Sequence, residues 1–178
     1  KKKLVLVAGR VHPELATEIS ERLGVPLGDV EMATFPNGER HCRFGESIRG
    51  ADLFILQTHD SVEGCTINDA IMEQLIMVDA ARRASAKRIT VVAPFYGYAR
   101  QDRKATGREP ITAKLLANLL ATAGAKRLVS IDLHSGQIQG FFDGPVDHLT
   151  AMPVLVEWMK ANLPSNVVVV SPDSGRVR

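Results

Sequence analysis

Four cations lie close together in one segment of the sequence. Residues 100–108 contain a single carboxylate, Asp102, and the cations Arg100, Arg103, Lys104 and Arg108. Guanidinium groups suit phosphate oxygens because each presents several N–H donors in one plane. A solvated basic loop could have the same composition. The segment follows the apolar run Ile89–Ala93, at the end of a strand, where open α/β sheets bind ligands, and it is long for such a connection. We therefore predict that residues 94–109, called the basic loop below, bind an anion.

A carboxylate and an imidazole follow the next apolar run. Asp132 and His134 flank Leu133, where the chain leaves a predicted strand. Carboxylate oxygen is a preferred ligand of Mg²⁺, and a histidine can take part directly or through water. A histidine in this position can equally be a structural hydrogen-bonding group. The residues alone leave both interpretations open.

Two turns contain groups that could contact a nucleotide. The segment Ser171–Gly175 would expose backbone N–H groups to an anion, and Asp173 could hold a cation that bridges phosphates. Phe35 could stack on a base while Asn37 and Glu39 bond its edge. For both segments the alternative is an ordinary turn.

Alternating apolar runs and helical patterns provide the scaffold for these residues. This alternation predicts the α/β class, with a parallel or mixed sheet flanked by helices on both faces. The segment from Phe35 to Arg40 has turn chemistry and is predicted as a loop or hairpin tip. The predicted strands are Leu4–Val7, Val30–Phe35, Leu53–Leu56, Ile89–Ala93, Leu128–Leu133 and Val167–Val170, and the predicted helices are Pro13–Leu23, Asn68–Ala84, Pro110–Ala123 and Met152–Leu163.

The composition is that of an ordinary globular protein. Of the 178 residues 45% are apolar and 24% charged, and the net charge of +2 gives no reason to expect nucleic acid or a membrane as partner. No apolar run approaches the ~18 residues of a membrane span. Cys42 and Cys65 are expected to be reduced thiols, and cytoplasm is the expected location. Since Walker A and GxGxxG motifs are absent from the sequence, any ATP site would be built without a P-loop.

Several short motifs, taken together, resemble the ribose-phosphate diphosphokinases, also called PRPP synthetases. Each motif is weak alone, but their joint order and spacing are specific. The resemblance implies two similar phosphoribosyltransferase-like domains, with residues 1–150 forming the first and residues 151–178 beginning a truncated second. The motifs are Phe35–Glu39, Glu73–Met77, Tyr98–Asp102, Arg108–Ile111, Asp132–His134, Gln137–Asp143 and Ser171–Asp173.

The resemblance also implies an activity and a set of site residues. The family transfers the β,γ-diphosphoryl group of Mg²⁺-ATP to the 1-hydroxyl of ribose 5-phosphate, giving PRPP and AMP. The resemblance further implies a homo-oligomer, often a hexamer of dimers, in which the Phe35 turn reaches the active site of a neighbouring subunit. By motif position, the resemblance implies that ATP is bound by Phe35, Asn37, Glu39, Arg100 and Gln101, and that Mg²⁺ is bound by His134 and Asp173. The ribose or phosphate group would be bound by Asp173, Ser174 and Gly175. A regulatory anion would be bound by Ser47 and Arg49.

The sequence departs from the family pattern in two places. Arg176 replaces a glycine found in many relatives, and the acidic PRPP motif and the catalytic Lys and Arg are expected beyond Arg178. We therefore expect no catalytic residue within the chain and no complete ribose-phosphate site. A non-catalytic regulatory subunit and a type I phosphoribosyltransferase are the alternatives. The Phe35 turn and the Arg100–Gln101 pair favour the diphosphokinase over the phosphoribosyltransferase.

Overall fold

A computed structural model describes residues 3–171 of the chain. The predicted turn residues Asp173, Ser174 and Gly175, together with Arg176, lie outside the described residues. The strands are β1 (Leu4–Ala8), β2 (Val30–Thr34), β3 (Arg40–Phe44), β4 (Asp52–Leu56), β5 (Arg88–Ala93), β6 (Arg127–Ile131) and β7 (Val146–Leu149). The α-helices are α1 (Pro13–Leu23), α2 (Ile67–Arg83), α3 (Thr112–Ala123) and α4 (Met152–Asn162), and a short 3-10 helix spans Gly136–Gly140.

Five strands form one parallel sheet in the order β1-β4-β5-β6-β7. Successive strand side chains point to opposite faces, so Val5 and Leu6 enter different cores. Val5 packs in the larger cluster with residues of α2 and α3, such as Met77 and Leu120. Leu6 packs against Ala16 of α1. Helices therefore cover both faces, which confirms the predicted α/β class.

The helix ends follow from local sequence signals. Pro13 occupies the first turn of α1, and Gly24 ends the helix with φ 64°, a left-handed conformation that costs glycine little. Helix α2 begins with a reciprocal capping box: the Thr66 hydroxyl accepts the Asp69 N–H, and the Asp69 carboxylate accepts the Thr66 N–H. These hydrogen bonds fix the start of α2.

Strands β2 and β3 form a separate antiparallel hairpin, in which Val30 lies opposite Phe44 and Thr34 opposite Arg40. Met32 and Cys42 face inward and pack against the larger core, which places the hairpin on α2. The prediction of a hairpin tip after Phe35 is confirmed. Strand β3 was not predicted because charged residues occupy three of its five positions, counting His41, and hide the alternation.

Three predicted boundaries or elements need correction. Strand β6 ends at Ile131 and not at Leu133, because Asp132 adopts φ 45° and turns the chain away from the sheet. Helix α3 begins at Thr112 and not at Pro110. The prediction of a strand at Val167–Val170 is wrong, because these valines pair with no strand within residues 3–171 and are 40–84% exposed. Strand β7 and the 3-10 helix were not predicted.

Helix α4 differs from the other helices because none of its residues is buried. Its exposed apolar side chains include Val154 and Trp158, which are 68% and 59% exposed. Among the described residues, no helix is both long and apolar enough to cross a bilayer.

Candidate functional site

A cleft of about 470 Å³ opens at the carboxyl edge of the parallel sheet. Strands β5 and β6 are neighbours, so the segments that follow them meet at this edge. The cleft therefore brings together three of the predicted site residues, Arg100, Gln101 and His134, with Asp132 beside them. Its lining comes from Phe95, Tyr96 and Tyr98–Gln101, from Ile131–His134, and from Ile67.

The root of the basic loop is fixed by buried hydrogen bonds. The Tyr96 hydroxyl donates to the carbonyl oxygen of Ala113 at 3.0 Å, and burial raises the pKa of Tyr96, so the phenol stays protonated. The Gly97 N–H donates to Nδ1 of His59 at 3.0 Å. Tyr98 then turns the chain with φ 58°. The loop thus leaves the sheet along a defined path.

Two carboxylates hold the rest of the basic loop, and neither pairs with its cations. Asp102 is buried, accepts the Ser135 hydroxyl, and accepts the Gln137 side-chain amide at its carbonyl oxygen. Glu109 accepts the backbone N–H groups of Ala105 and Thr106 at 2.8 and 3.0 Å. The Thr106 backbone and hydroxyl donors, followed by the Ala105 N–H, lower the pKa of Glu109. Both carboxylates shape the loop.

The four cations of the loop are therefore exposed and unneutralised. Within residues 3–171, none of the four forms an ion pair. Unpaired guanidinium groups beside a cleft create a positive potential that attracts anions. The predicted anion-binding character of the loop remains a prediction, and this arrangement supports it.

The turn after β6 presents Asp132 and His134 to the cleft. Asp132 Oδ2 accepts the Ala151 N–H at 3.2 Å, and the Leu133 N–H donates to Nε2 of His148 at 3.0 Å. No group of three His, Cys, Asp or Glu side chains suited to a metal occurs in the part of the chain that is described. Mg²⁺ usually keeps several waters and takes only one or two protein carboxylates together with phosphates. The donors Asp132 and His134 fit that modest requirement.

The hairpin turn, residues 35–39, lies outside the cleft of its own chain, because the cleft lining contains none of its residues. Phe35 is 48% exposed, and its ring meets that of His41 edge-on, with centroids 5.9 Å apart. Asn37 Oδ1 accepts the Glu39 N–H at 3.2 Å, so the Asn37 oxygen is already engaged within the turn. Among the described residues, the Asn37 side-chain N–H groups and the Glu39 carboxylate form no hydrogen bond, and their predicted contact with a base edge stays a prediction.

A buried charge at Glu73 was not anticipated from the sequence. Its side chain is fully buried and lies 2.6 Å from Nε of Arg10, and its other oxygen accepts Nε2 of Gln57 at 2.8 Å and the Arg10 N–H at 3.0 Å. Glu73 also contributes, after burial itself, to the raised pKa of the Cys42 thiol, about 11. A glutamate between Ala70 and Met77, on the apolar side of the predicted helix, was the signal that could have revealed it.

The next residue, Gln74, anchors a second buried group that sequence reasoning left unassigned. His59 is fully buried and contacts Gln74 Oε1 through Nε2 at 2.7 Å. Because Nδ1 accepts the Gly97 N–H, Nε2 carries the proton. Burial lowers the pKa of His59 to about 4, so the imidazole is neutral at pH 7. Two neighbouring residues of α2 therefore contact different parts of the fold: Glu73 contacts the segment after β1, and Gln74 contacts the root of the basic loop through His59.

The predicted regulatory residues lie at the opposite edge of the sheet. Ser47 and Arg49 precede β4 and are exposed. Lys3, which precedes β1, donates to the Ser47 carbonyl oxygen at 3.4 Å and to Glu46 at 2.8 Å. The structure therefore separates these residues from the cleft by the length of the strands.

Comparisons with known proteins agree on one family. A family model described as the N-terminal domain of ribose phosphate pyrophosphokinase matches residues 4–124. The chain is 55% identical to the ribose-phosphate pyrophosphokinase of Streptomyces avermitilis over 179 residues, covering 100% of this chain and 54% of that protein. It is also 55% identical to the protein of the same name from Bifidobacterium longum, covering 99% of this chain and 52% of that protein.

A solved structure gives the same result. The crystal structure of phosphoribosylpyrophosphate synthetase from Mycobacterium smegmatis matches with a TM-score of 0.86 and 54% sequence identity, over 90% of this chain and 53% of that chain. The chain spans about half the length of these relatives. The likeness confirms the predicted fold and resemblance, and the chain belongs to the family of ribose phosphate pyrophosphokinases, of which it carries the N-terminal domain.

Proposed function

We propose that this chain forms the ATP-binding part of a ribose-phosphate diphosphokinase. The enzyme transfers the β,γ-diphosphoryl group of ATP to the 1-hydroxyl of ribose 5-phosphate and releases PRPP and AMP. The observation that carries the proposal is the cleft at the carboxyl edge, where the basic loop meets the turn after β6. Transfer of a phosphoryl group depends mainly on positioning and charge neutralisation, which is the chemistry that these residues offer.

In this proposal each part of the site has a separate task. Arg100 and Gln101 contact the ATP phosphates from the rim of the cleft, where both are exposed. The cations of the basic loop attract the polyphosphate and hold it in line for transfer. Asp132 is an additional candidate, because its carboxylate lines the same cleft as the imidazole of the predicted metal residue His134.

A magnesium ion in the same cleft is part of this proposal. Mg²⁺ neutralises phosphate charge when it is bound with ATP. We propose that His134 and Asp132 hold it here, directly or through water, together with Asp173, which lies outside the described residues. The ribose or phosphate group is assigned to Asp173, Ser174 and Gly175 on the resemblance alone.

The position of the hairpin turn favours an assembly of several copies. Phe35 is exposed and lies outside its own cleft, so a base stacked on it would belong to the cleft of another copy. We propose a homo-oligomer in which Phe35, Asn37 and Glu39 bind adenine for a neighbouring subunit. The hexamer, the regulatory role of Ser47 and Arg49, and the cytoplasmic location belong to this proposal as consequences of the family resemblance.

We also propose that residues 151–178 belong to a second domain. Helix α4 buries none of its side chains, and Val154 and Trp158 are exposed. An apolar helix of this kind normally packs against another element. The remainder of the relatives' length would supply that element and the acceptor site.

The test is an assay of AMP release by the longest natural polypeptide that contains this chain. The reaction contains Mg²⁺-ATP with and without ribose 5-phosphate, beside a His134→Ala variant. AMP formed only with the sugar, and lost in the variant, is the expected result. Absence of AMP from a protein that binds ATP and assembles with an active relative would point to the regulatory-subunit alternative.

A further inference from the structure

The root of the hairpin contains two arginines that meet at one hydroxyl. Arg10 follows β1, and Arg40 is the first residue of β3. Nη1 of Arg10 donates to Thr34 Oγ1 at 3.0 Å, and Nη1 of Arg40 donates to the same oxygen at 2.6 Å. A hydroxyl oxygen has two lone pairs and can accept both donors. Thr34 is thereby held between two parts of the chain that are distant in sequence.

Both arginines are in turn fixed by helix α2. Nε of Arg10 lies 2.6 Å from Oε2 of Glu73, an ion pair without hydrogen-bond geometry, and Nη2 of Arg40 lies 3.2 Å from Oδ2 of Asp69. The two carboxylates lie four residues apart and so share one face of the helix. Arg40 also donates to the Gly64 carbonyl oxygen at 3.0 Å, and its side chain is only 6% exposed. The two arginine side chains are therefore fixed in place by contacts outside the hairpin.

The charges in this cluster balance. Arg10 and Arg40 carry two positive charges, and Glu73 and Asp69 carry two negative charges. An anion gains little from guanidinium groups that are already paired, so the cluster is poorly suited to binding one. A positioning task fits its composition better.

The position of Thr34 in the chain indicates what is positioned. Thr34 is the last residue of β2 and directly precedes Phe35. The Phe35 N–H donates to the Glu39 carbonyl oxygen at 2.8 Å, so the direction of the strand at Thr34 is passed to the whole turn. Thr34 itself is exposed, and it buries little that could matter to the core.

We propose that Thr34, held between Arg10 and Arg40, is a positioning residue that sets the placement of the Phe35–Glu39 turn and thereby the affinity for the ATP base. The inference rests on the proposed function. It concerns the direction of the turn and not the chemistry of transfer.

The test compares Thr34→Val with Thr34→Ser. Valine has nearly the shape of threonine but lacks the acceptor, whereas serine keeps the hydroxyl. The free energy lost with hydrogen bonds from charged donors corresponds to about a tenfold change in an equilibrium constant. We therefore expect Thr34→Val to raise the KM for ATP about tenfold, with kcat and the KM for ribose 5-phosphate little changed, and Thr34→Ser to restore the ATP KM. Thr17→Val is the matched control, because Thr17 lies on α1 and, within residues 3–171, its hydroxyl bonds only the Pro13 carbonyl oxygen.

Hydrogen exchange of the backbone amides separates this inference from the proposed function. In Thr34→Val the amides of Phe35, Gly38 and Glu39 should exchange faster, while amides of β4 and β5 should not change. An unchanged ATP KM, or equal rises in both KM values, would overturn the inference while leaving PRPP formation intact. If the parent forms no PRPP, the proposed function fails, and unchanged exchange at the turn would then reject the positioning role as well.

Discussion

Two of the regions that contain arginines, the root of the hairpin and the basic loop, place them in different surroundings. At the hairpin root, Arg10 and Arg40 are paired with Glu73 and Asp69. In the basic loop the carboxylates of Asp102 and Glu109 accept hydroxyl and backbone donors, and the neighbouring cations are unpaired within the described chain. The same side-chain type is thus neutralised where it builds structure and left charged where we propose that it meets ATP. Four experiments can break or sharpen that contrast.

The largest effect is expected at Glu73. Glu73→Ala would leave Arg10 without its partner in a mostly buried position, and losing one member of a buried pair destabilises a protein by about 3–5 kcal/mol. Because Arg10 is 29% exposed, we expect the lower end of that range. Urea unfolding measures the change. Glu46→Ala removes an exposed pair with Lys3 and should leave the urea midpoint unchanged. Equal midpoints for the two variants would contradict the contrast.

A pH effect of somewhat smaller size is expected at His59. Its pKa is about 4 in the folded protein, below its ordinary value of 6.5, so the unfolded chain binds the proton more readily. The neutral His59 imidazole therefore makes its full contribution to the free energy of unfolding above pH 6.5. This contribution declines as the pH falls towards 4, by at most on the order of 3 kcal/mol. In His59→Gln, unfolding measured at pH 7 and pH 4.5 should show a weaker pH dependence. If the stability of His59→Gln depended on pH as strongly as that of the parent, His59 would not be the cause of the pH dependence.

Third in size is the effect of removing a cation from the basic loop. A charged hydrogen bond to phosphate corresponds to about a 30-fold change in affinity, so Arg100→Ala should raise the Kd for Mg²⁺-ATP by about that factor. Stability should not change, because Arg100 is exposed and forms no ion pair within residues 3–171. Calorimetric titration measures the Kd, and Arg22→Ala on α1 is the control. Added salt should weaken binding by the parent more than by the variant. A loss of stability with unchanged affinity would assign Arg100 to the scaffold.

The smallest effect is expected at Glu109, which shapes the loop without touching the cleft. Glu109→Ala removes the acceptor of the Ala105 and Thr106 N–H groups and should weaken ATP binding only about two- to threefold. Glu109→Gln keeps an acceptor oxygen and is the matched variant. Since the folded pKa of Glu109 is lowered, the stabilisation that its carboxylate contributes is fully present above its ordinary pKa and is lost as the pH falls through the lowered folded pKa. A 30-fold loss in Glu109→Ala would mean that Glu109 contacts ATP itself.

The sequence predicted the elements of the sheet better than the contacts between them. Apolar runs such as Leu53–Leu56 are confirmed as buried strands, because their patterns reflect burial that any parallel sheet requires. Val167–Val170 is also wholly apolar but forms no strand in the described chain, because a strand also needs a neighbour with which to form hydrogen bonds. Apolar character alone cannot supply that partner.

In the candidate site, too, the sequence predicted individual residues better than the contacts between distant parts of the chain. Arg100, Gln101 and His134 were predicted from motifs at strand ends, and the cleft brings them together because β5 and β6 are neighbours. The supporting contacts of Glu73 and His59 could not be predicted, because their partners are distant in sequence. Arg10 lies 63 positions from Glu73, and Gly97 lies 38 positions from His59. Such pairs are defined only by the folded chain.

The pairing of β1 with β4 has a consequence for how the chain folds. Leu4 pairs with Asp52, whereas the hairpin pairs Val30 with Phe44 and can close locally within ~1–10 μs. During synthesis at about 5–20 residues per second, β1 would wait roughly 2–10 s for its partner strand to emerge. An apolar, unpaired strand is prone to aggregation over that interval. Translation speed between β1 and β4 should therefore affect the yield of folded protein more than translation speed through the hairpin alone.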